Sequence, residues 1–352
     1  MRTFNRLSPI ILFLLAAQKA LVSGLTNFDD WAHQRVALEN VSIHLRYAGS
    51  GPPILLLHGS PQFSLTWRII GPILADNNYT VIALDNRGTG DSSISPDGNY
   101  TAMASAADTK AVLDFLNITS AYVVGHDFGS GIATALAASY PSLVKRLVVT
   151  EFVPPGFGFE TARTPAPYWD LYANWQLAFF SIPDAAEFFI SGKEKQMLEW
   201  FFFHGSYSGV TSFSEDIVNR YTSSISKPGF LRAMLASYDV RGLAAVANFF
   251  KGTVGINPLQ MPTLAMGGEA SLGPFAGQLW ENITADLETD IIPKAGHWIA
   301  DENPAWVATR VHQFLEQEQN PPPSIDLSDL ADKVTLTVGY FGTLGNVALA
   351  NS

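Results

Sequence analysis

A mostly parallel, doubly wound α/β sheet carrying an inserted helical lid is the fold predicted for this 352-residue chain. Three observations predict it. Short apolar runs at Ile54–Leu57, Thr80–Leu84, Ala121–Gly125 and Val144–Phe152 read as strands buried on both faces. They alternate with helical spacing over Thr101–Leu116 and an alanine-rich run over Ile132–Ser139, the rhythm of βαβ units. From Val153 to about Arg241 that rhythm stops, and prolines followed by aromatic rings take over.

In chain order, Val41–Gly49 alternates weakly and predicts an antiparallel strand ending in the turn Gly49–Pro53. Ile54–Leu57 runs into His58-Gly-Ser-Pro61, and Thr80–Leu84 into Asp85-Asn-Arg-Gly-Thr-Gly-Asp-Ser92. The strand at Ala121–Gly125 precedes Asp127, and Val144–Phe152 contains Glu151 near its end. Ligands of such sheets bind beyond the carboxyl ends of strands, where His58, Asp85, Asp127 and Glu151 all stand. The insertion begins with Pro154, Pro155, Pro165 and Pro167. Its rings, from Tyr168 and Trp169 through Trp175 to Trp200–Phe203, either roof a pocket or pack as an ordinary helical core. Strand signals return at Pro262–Gly268 and Thr289–Pro293, ahead of Lys294-Ala-Gly-His-Trp298, and Pro304–Glu318 is the closing helix.

Met1–Gly24 has basic Arg2 and Arg6, an apolar block and small residues, the layout of a secretory signal peptide; the alternative is a buried or amphipathic helix. Asn40, Asn78, Asn99, Asn117 and Asn282 head Asn-X-Ser/Thr sequons at expected turns or element boundaries, so a secreted glycoprotein is expected. The division is residues 1–24 leader, 25–153 and 241–318 α/β core, 154–240 helical cap, and 319–352 a tail set off by Asn320-Pro-Pro-Pro323 with no assigned role. There is no cysteine, which excludes disulfides and thiol chemistry. A formal net charge of −11 argues against nucleic acid and anionic membrane surfaces as partners.

The organising stretch is Ala121-Tyr-Val-Val-Gly-His-Asp-Phe-Gly-Ser-Gly131. Gly125-His126-Asp127-Phe128-Gly129 has the glycine spacing of the nucleophile elbow of α/β-hydrolases, with Asp in the place of Ser. A Cβ at those glycines would clash where strand and helix backbones meet. A carboxylate at the apex sits at a helix N-terminus, whose dipole favours its ionised form. The plainer reading of Asp127 is a helix N-cap.

With these motifs, from about residue 30 to residue 318, the sequence resembles the epoxide hydrolases of the α/β-hydrolase fold and their haloalkane and haloacetate dehalogenase relatives. The residues that carry the resemblance are His58–Pro61, Asp85–Ser92, the Asp127 elbow and Gly296-His297-Trp298. It implies that Asp127 is a nucleophile that forms an alkyl ester, and that His297 primes the water that hydrolyses it. The backbone N–H groups of Ser60 and Phe128 would hold the oxyanion. The acid orienting His297 is either Glu151 or Glu269. The usual acid position, in Gly268-Glu269-Ala270-Ser271, holds Ser, whereas Glu151 ends the strand after the elbow helix. Ring opening needs an acid. Tyr238 falls where the second lid tyrosine is expected, and Gln176 stands where similar proteins carry His. Glutamine donates a hydrogen bond but delivers no proton, leaving Tyr172 or Tyr168 as substitutes. Trp175 is a pocket wall or a halide donor. Trp175, Gln176 and His58 are thus expected at the substrate, with His58 and His126 shaping the site.

The expected reaction is hydrolysis of a small apolar epoxide by water, with no cofactor and no metal. Hydrolytic dehalogenation is the alternative. Haloalkane dehalogenases commonly carry Trp where this chain has Phe128, and haloacetate relatives use an Arg near the elbow that Phe128–Ile132 lacks. A third reading is a non-catalytic binding protein that keeps the fold.

Overall fold

The computed structural model of the chain describes residues 27–164 and 171–331. The expected leader, Tyr168, the Tyr172 side chain and the tail from 332 onward lie outside the described residues. The strands are β1 (Ala32–Ala37), β2 (Ser42–Ala48), β3 (Pro53–Leu57), β4 (Thr80–Leu84), β5 (Ala121–His126), β6 (Val144–Thr150), β7 (Thr263–Gly268) and β8 (Leu287–Ile292). They form one sheet in the order β1-β2-β4-β3-β5-β6-β7-β8. β2 pairs antiparallel with both β1 and β4, and the remaining pairings are parallel.

The apolar runs follow from the two-residue period of a strand covered on both faces. One face turns Leu55, Leu57, Ile82, Leu84, Val123 and Leu147 toward α2 (Ala102–Phe115) and α3 (Phe128–Ser139). The other turns Ile54, Leu56, Val81, Ala83, Val124 and Val148 toward α1 (Ile70–Asp76) and the late helix of residues 304–315. Each buried Leu, Ile or Val among them contributes about 1.5–3 kcal/mol of transfer free energy, so both faces must be covered.

Between β6 and β7 lie α4 (Phe159–Arg163), α5 (Leu171–Phe180), α6 (Pro183–Ile190), α7 (Glu194–His204), α8 (Glu215–Ile225), α9 (Phe230–Ala236) and α10 (Val240–Gly252). Phe180, Leu198, Phe202, Tyr221, Leu231 and Leu235 make a separate cluster under these helices, joined to the sheet domain through Leu65 and Trp298. Many of the lid rings are therefore core, although Phe188 and Phe189 are 78% and 63% exposed. α10 differs from its predecessors, since Val246 and Phe250 pack in the cluster of the strands. After β7 come α11 (Phe275–Trp280), α12 (Ile299–Glu302), α13 (Pro304–Leu315) and α14 (Ser328–Ala331). Among the described residues no helix is long and apolar enough to cross a membrane.

Two features carry no sequence signal of their own. β1 is an edge strand, buried on one face only, and its alternation is broken by His33, Gln34 and Arg35. The tail does not hang free after its prolines: the Ile325 N–H donates to Gly51 O at 3.1 Å, the Thr80 hydroxyl donates to Ile325 O at 3.0 Å, and Leu327 is buried in the core.

Candidate active site

Topology gathers the site. β3 lies between β4 and β5, so the carboxyl ends of β3, β5 and β6 bring the turn at His58–Pro61, the elbow and Glu151 together. The elbow is as tight as the glycine spacing predicts: a Cβ at Gly129 would stand 2.1 Å from Leu57 O. Asp127 sits at φ 51°, and Glu151, ending the neighbouring strand, at φ 52°. These are positions that non-glycine residues hold only when their surroundings enforce them.

Asp127 does not cap the helix it precedes; its side chain makes no cap hydrogen bond to α3. Instead Oδ1 accepts the Ser60 N–H at 2.9 Å, the Phe128 N–H acts on the same carboxylate, and Oδ2 stands 3.7 Å from His297 Nε2. Asp127 and His297 keep 16% and 21% of their side-chain surface, enough to meet a small molecule. Burial pushes Asp127 above its ordinary range, and His297 with the two N–H groups offsets only part of that. The ionised form that the helix N-terminus is expected to favour is thus opposed by removal from water, the largest influence on this carboxyl.

His297 follows β8, with Nδ1 2.9 Å from Glu151 Oε2. Facing a carboxylate, Nδ1 carries the hydrogen, which leaves the Nε2 lone pair toward Asp127. Burial alone would lower this imidazole; the Glu151 hydrogen bond and the charges of Asp127 and Glu151 outweigh it and raise it. Glu151 is itself fixed by Gly268 N–H at 2.7 Å and Leu272 N–H at 3.2 Å on Oε1, and by the Ser271 hydroxyl at 2.6 Å on Oε2. Ser271, at the usual acid position, therefore hydrogen-bonds the carboxylate that faces His297. Glu269 accepts the Lys294 N–H at 2.8 Å on an exposed turn and makes no such contact with His297.

Tyr238 comes from the turn between α9 and α10, is 2% exposed, and packs edge-on against Phe128 with ring centroids 4.8 Å apart. Burial first, then the Asp127 charge, pushes its hydroxyl strongly upward, so it stands protonated. His58 stands in the wall of the larger cavity described below, but its ring is engaged by the protein itself. It is 1% exposed, its Nε2 accepts the Asn86 N–H at 3.0 Å, and Nδ1 therefore donates to Gly59 O at 2.8 Å. Both nitrogens are spent on holding the Ser60 turn. His126 is also buried, which lowers it well below its ordinary range, so it stays neutral beside His297.

Trp175 and Gln176 belong to the wall of a different opening. They line a groove of about 350 Å³ with Phe179, Phe189, Met197 and Trp200, and neither Asp127 nor His297 is in that wall. A larger cavity of about 740 Å³ is lined by His58, Ser60 and Phe128 together with Tyr100, Phe152, Met234 and Val246, and its wall likewise includes neither Asp127 nor His297.

The profile of the α/β-hydrolase fold matches residues 52–304. A soluble epoxide hydrolase from Corynebacterium sp. (strain C12) is 30% identical over 284 residues, 80% of this chain and 96% of that protein. A fluoroacetate dehalogenase from Burkholderia sp. is 28% identical over 302 residues, 83% of this chain and 96% of that protein. The solved structure of the epoxide hydrolase CorEH without ligand matches with a TM-score of 0.75 at 28% identity, over 82% of this chain and 99% of that one. The chain belongs to the α/β-hydrolase fold family. Within that family it groups with the epoxide hydrolases.

Proposed function

We propose that the protein hydrolyses epoxides to vicinal diols through an alkyl ester on Asp127. The aim of the Asp127 carboxylate carries this reading: making no side-chain cap to the helix it precedes, it lies 2.9 Å from the Ser60 nitrogen and 3.7 Å from Nε2 of an imidazole backed by Glu151. Asp127 attacks an epoxide carbon, the C–O bond breaks, and the alkoxide takes the Tyr238 proton. His297 Nε2 then takes a proton from water, and the hydroxide adds to the ester carbonyl of Asp127. The oxyanion forms on Asp127 itself, facing the Ser60 and Phe128 N–H groups. Collapse expels the second alkoxide, which is protonated by the imidazolium; the remaining proton leaves the Asp127 carboxyl and restores the Tyr238 phenol.

Repeated turnover of an aryl epoxide in ¹⁸O-water is expected to leave label in Asp127. Asp127→Ala is expected to abolish diol formation, and His297→Gln to hold the ester as a mass increase on the intact protein. Diol formation by Asp127→Ala would end this reading.

Similarity to a fluoroacetate dehalogenase supports a second reading, halide displacement by the same carboxylate. Phe128–Ile132 contains no cation to hold a haloacid, which weighs against it. Halide release without epoxide turnover would establish it. The proposal extends to a secreted glycoprotein, supported by the exposure of all five sequon asparagines, Asn40, Asn78, Asn99, Asn117 and Asn282. A glycosidase-sensitive mass and a mature N-terminus near residue 25 would be its signature.

A further inference from the structure

The loop that presents His297 is held from outside the triad. Glu302, the last residue of α12, accepts the Gly296 N–H at 2.6 Å on Oε2. The same oxygen accepts the Tyr207 N–H at 3.0 Å, and Oε1 accepts the Ser208 N–H at 2.7 Å and the Ser212 hydroxyl at 3.0 Å. Gly296 adjoins the base, whereas Tyr207, Ser208 and Ser212 belong to the lid segment that follows α7. One carboxylate therefore ties the histidine loop to the lid, through three backbone donors that cannot swing to other partners. The contact is close-fitting: the His297 N–H donates to Gly205 O at 2.7 Å, and a Cβ on Gly296 would stand 2.5 Å from that oxygen.

We infer that Glu302 is a positioning residue for the hydrolytic half of the reaction, setting where the His297 imidazole stands relative to Asp127 by tying its loop to the lid. The inference rests on the reading of Asp127 as nucleophile and His297 as base. Glu302 does not hold the nucleophile, whose Oδ1 accepts the Ser60 N–H of a separate turn. Its loss therefore falls on water activation and not on ring opening. Its charge acts in the same place, being among those that favour the imidazolium of His297.

The test separates the two half-reactions by quenched-flow mixing with styrene oxide and intact-mass detection of the ester. Parent, His297→Gln, Glu302→Gln and Ser212→Ala proteins are compared. Glu302→Gln is expected to alkylate within about threefold of parent while ester hydrolysis slows about 10–100-fold, so that ester accumulates. Ser212→Ala, which removes one of the hydrogen bonds, is expected to lengthen the ester lifetime by about two- to fivefold. A general loosening of the fold would slow both steps together and build up no ester, and that result overturns the inference. So does parental ester hydrolysis in Glu302→Gln. Should Glu302→Gln fail to fold, Ser212→Ala decides: a longer ester lifetime supports the inference and a parental one refutes it. If even His297→Gln holds no ester, the fault lies in the underlying reading of Asp127 and not in Glu302.

Discussion

Replacing Glu151 by Gln tests the triad with little change in shape. The environment dictates how the new amide must lie. Two backbone donors, Gly268 N–H and Leu272 N–H, converge on Oε1, so the amide oxygen takes that place and the NH₂ group takes the place of Oε2. The Ser271 hydroxyl can turn and accept from it, but His297 Nδ1, at 2.9 Å, must give up its hydrogen and become the acceptor. The imidazole then carries its hydrogen on Nε2, toward Asp127, with no lone pair for water. Loss of the working tautomer in a triad of this kind costs about 10⁴-fold, or about 5 kcal/mol of transition-state stabilisation. Alkylation of Asp127 needs no base and survives. Mixing Glu151→Gln with an aryl epoxide is thus expected to give one equivalent of stable ester by intact mass, in a protein that melts close to the parent. Turnover within tenfold of parent would refute the reasoning, because something other than Glu151 would then be orienting the imidazole.

Three other perturbations address separate parts of the molecule. Tyr238→Phe is expected to slow alkylation by about 10²–10⁴-fold without ester build-up, and parental alkylation would remove Tyr238 from ring opening. Hydrolysis needs neutral His297, whose imidazole is raised, so in free enzyme its proton is gained as pH falls through a value above the ordinary 6.5. In the ester Asp127 carries no charge, one raising cause is gone, and ester decay should lose rate at a lower pH than the free-enzyme imidazole titrates by NMR; an equal or higher limb contradicts this. Asp85 is fully buried, and although burial by itself raises it, the His44 hydrogen bond and charge and the Asp91 and Ser64 N–H groups bring it to about 2. That depression corresponds to roughly 2 kcal/mol, present above the unfolded value near 4 and lost as pH falls toward 2. Asp85→Asn should therefore lose at least about 2 kcal/mol in urea unfolding at pH 7, and an unchanged midpoint would contradict the assignment.

The parts legible in the sequence are those decided within a few residues. The elbow is written in its glycines, because the clash they avoid, Gly129 against Leu57 O, arises wherever a strand turns straight into a helix beside a second strand. β3 and β4 are legible because both of their faces are covered, which leaves Thr80, at the first position of β4, as the one polar residue in either strand. β1 is not, because half of an edge strand faces water and any residue serves there. The returning tail at Ile325 is not, because its partners Gly51 and Thr80 are remote in the chain.

By itself the sequence determined that a carboxylate stands at a strand-to-helix turn and that a histidine follows the last strand. It also narrowed the orienting acid to two glutamates. Which of them meets the imidazole was decided only when β6, β7 and β8 came to lie side by side, which puts Glu151 against His297 and Glu269 on a Lys294 N–H at the surface. The facing of Trp175 and Gln176 was likewise settled by the packing of α5 on its neighbours in the lid. Local sterics are encoded in adjacent residues, whereas the choice between equivalent side chains depends on contacts more than a hundred positions apart, which no short stretch of sequence contains.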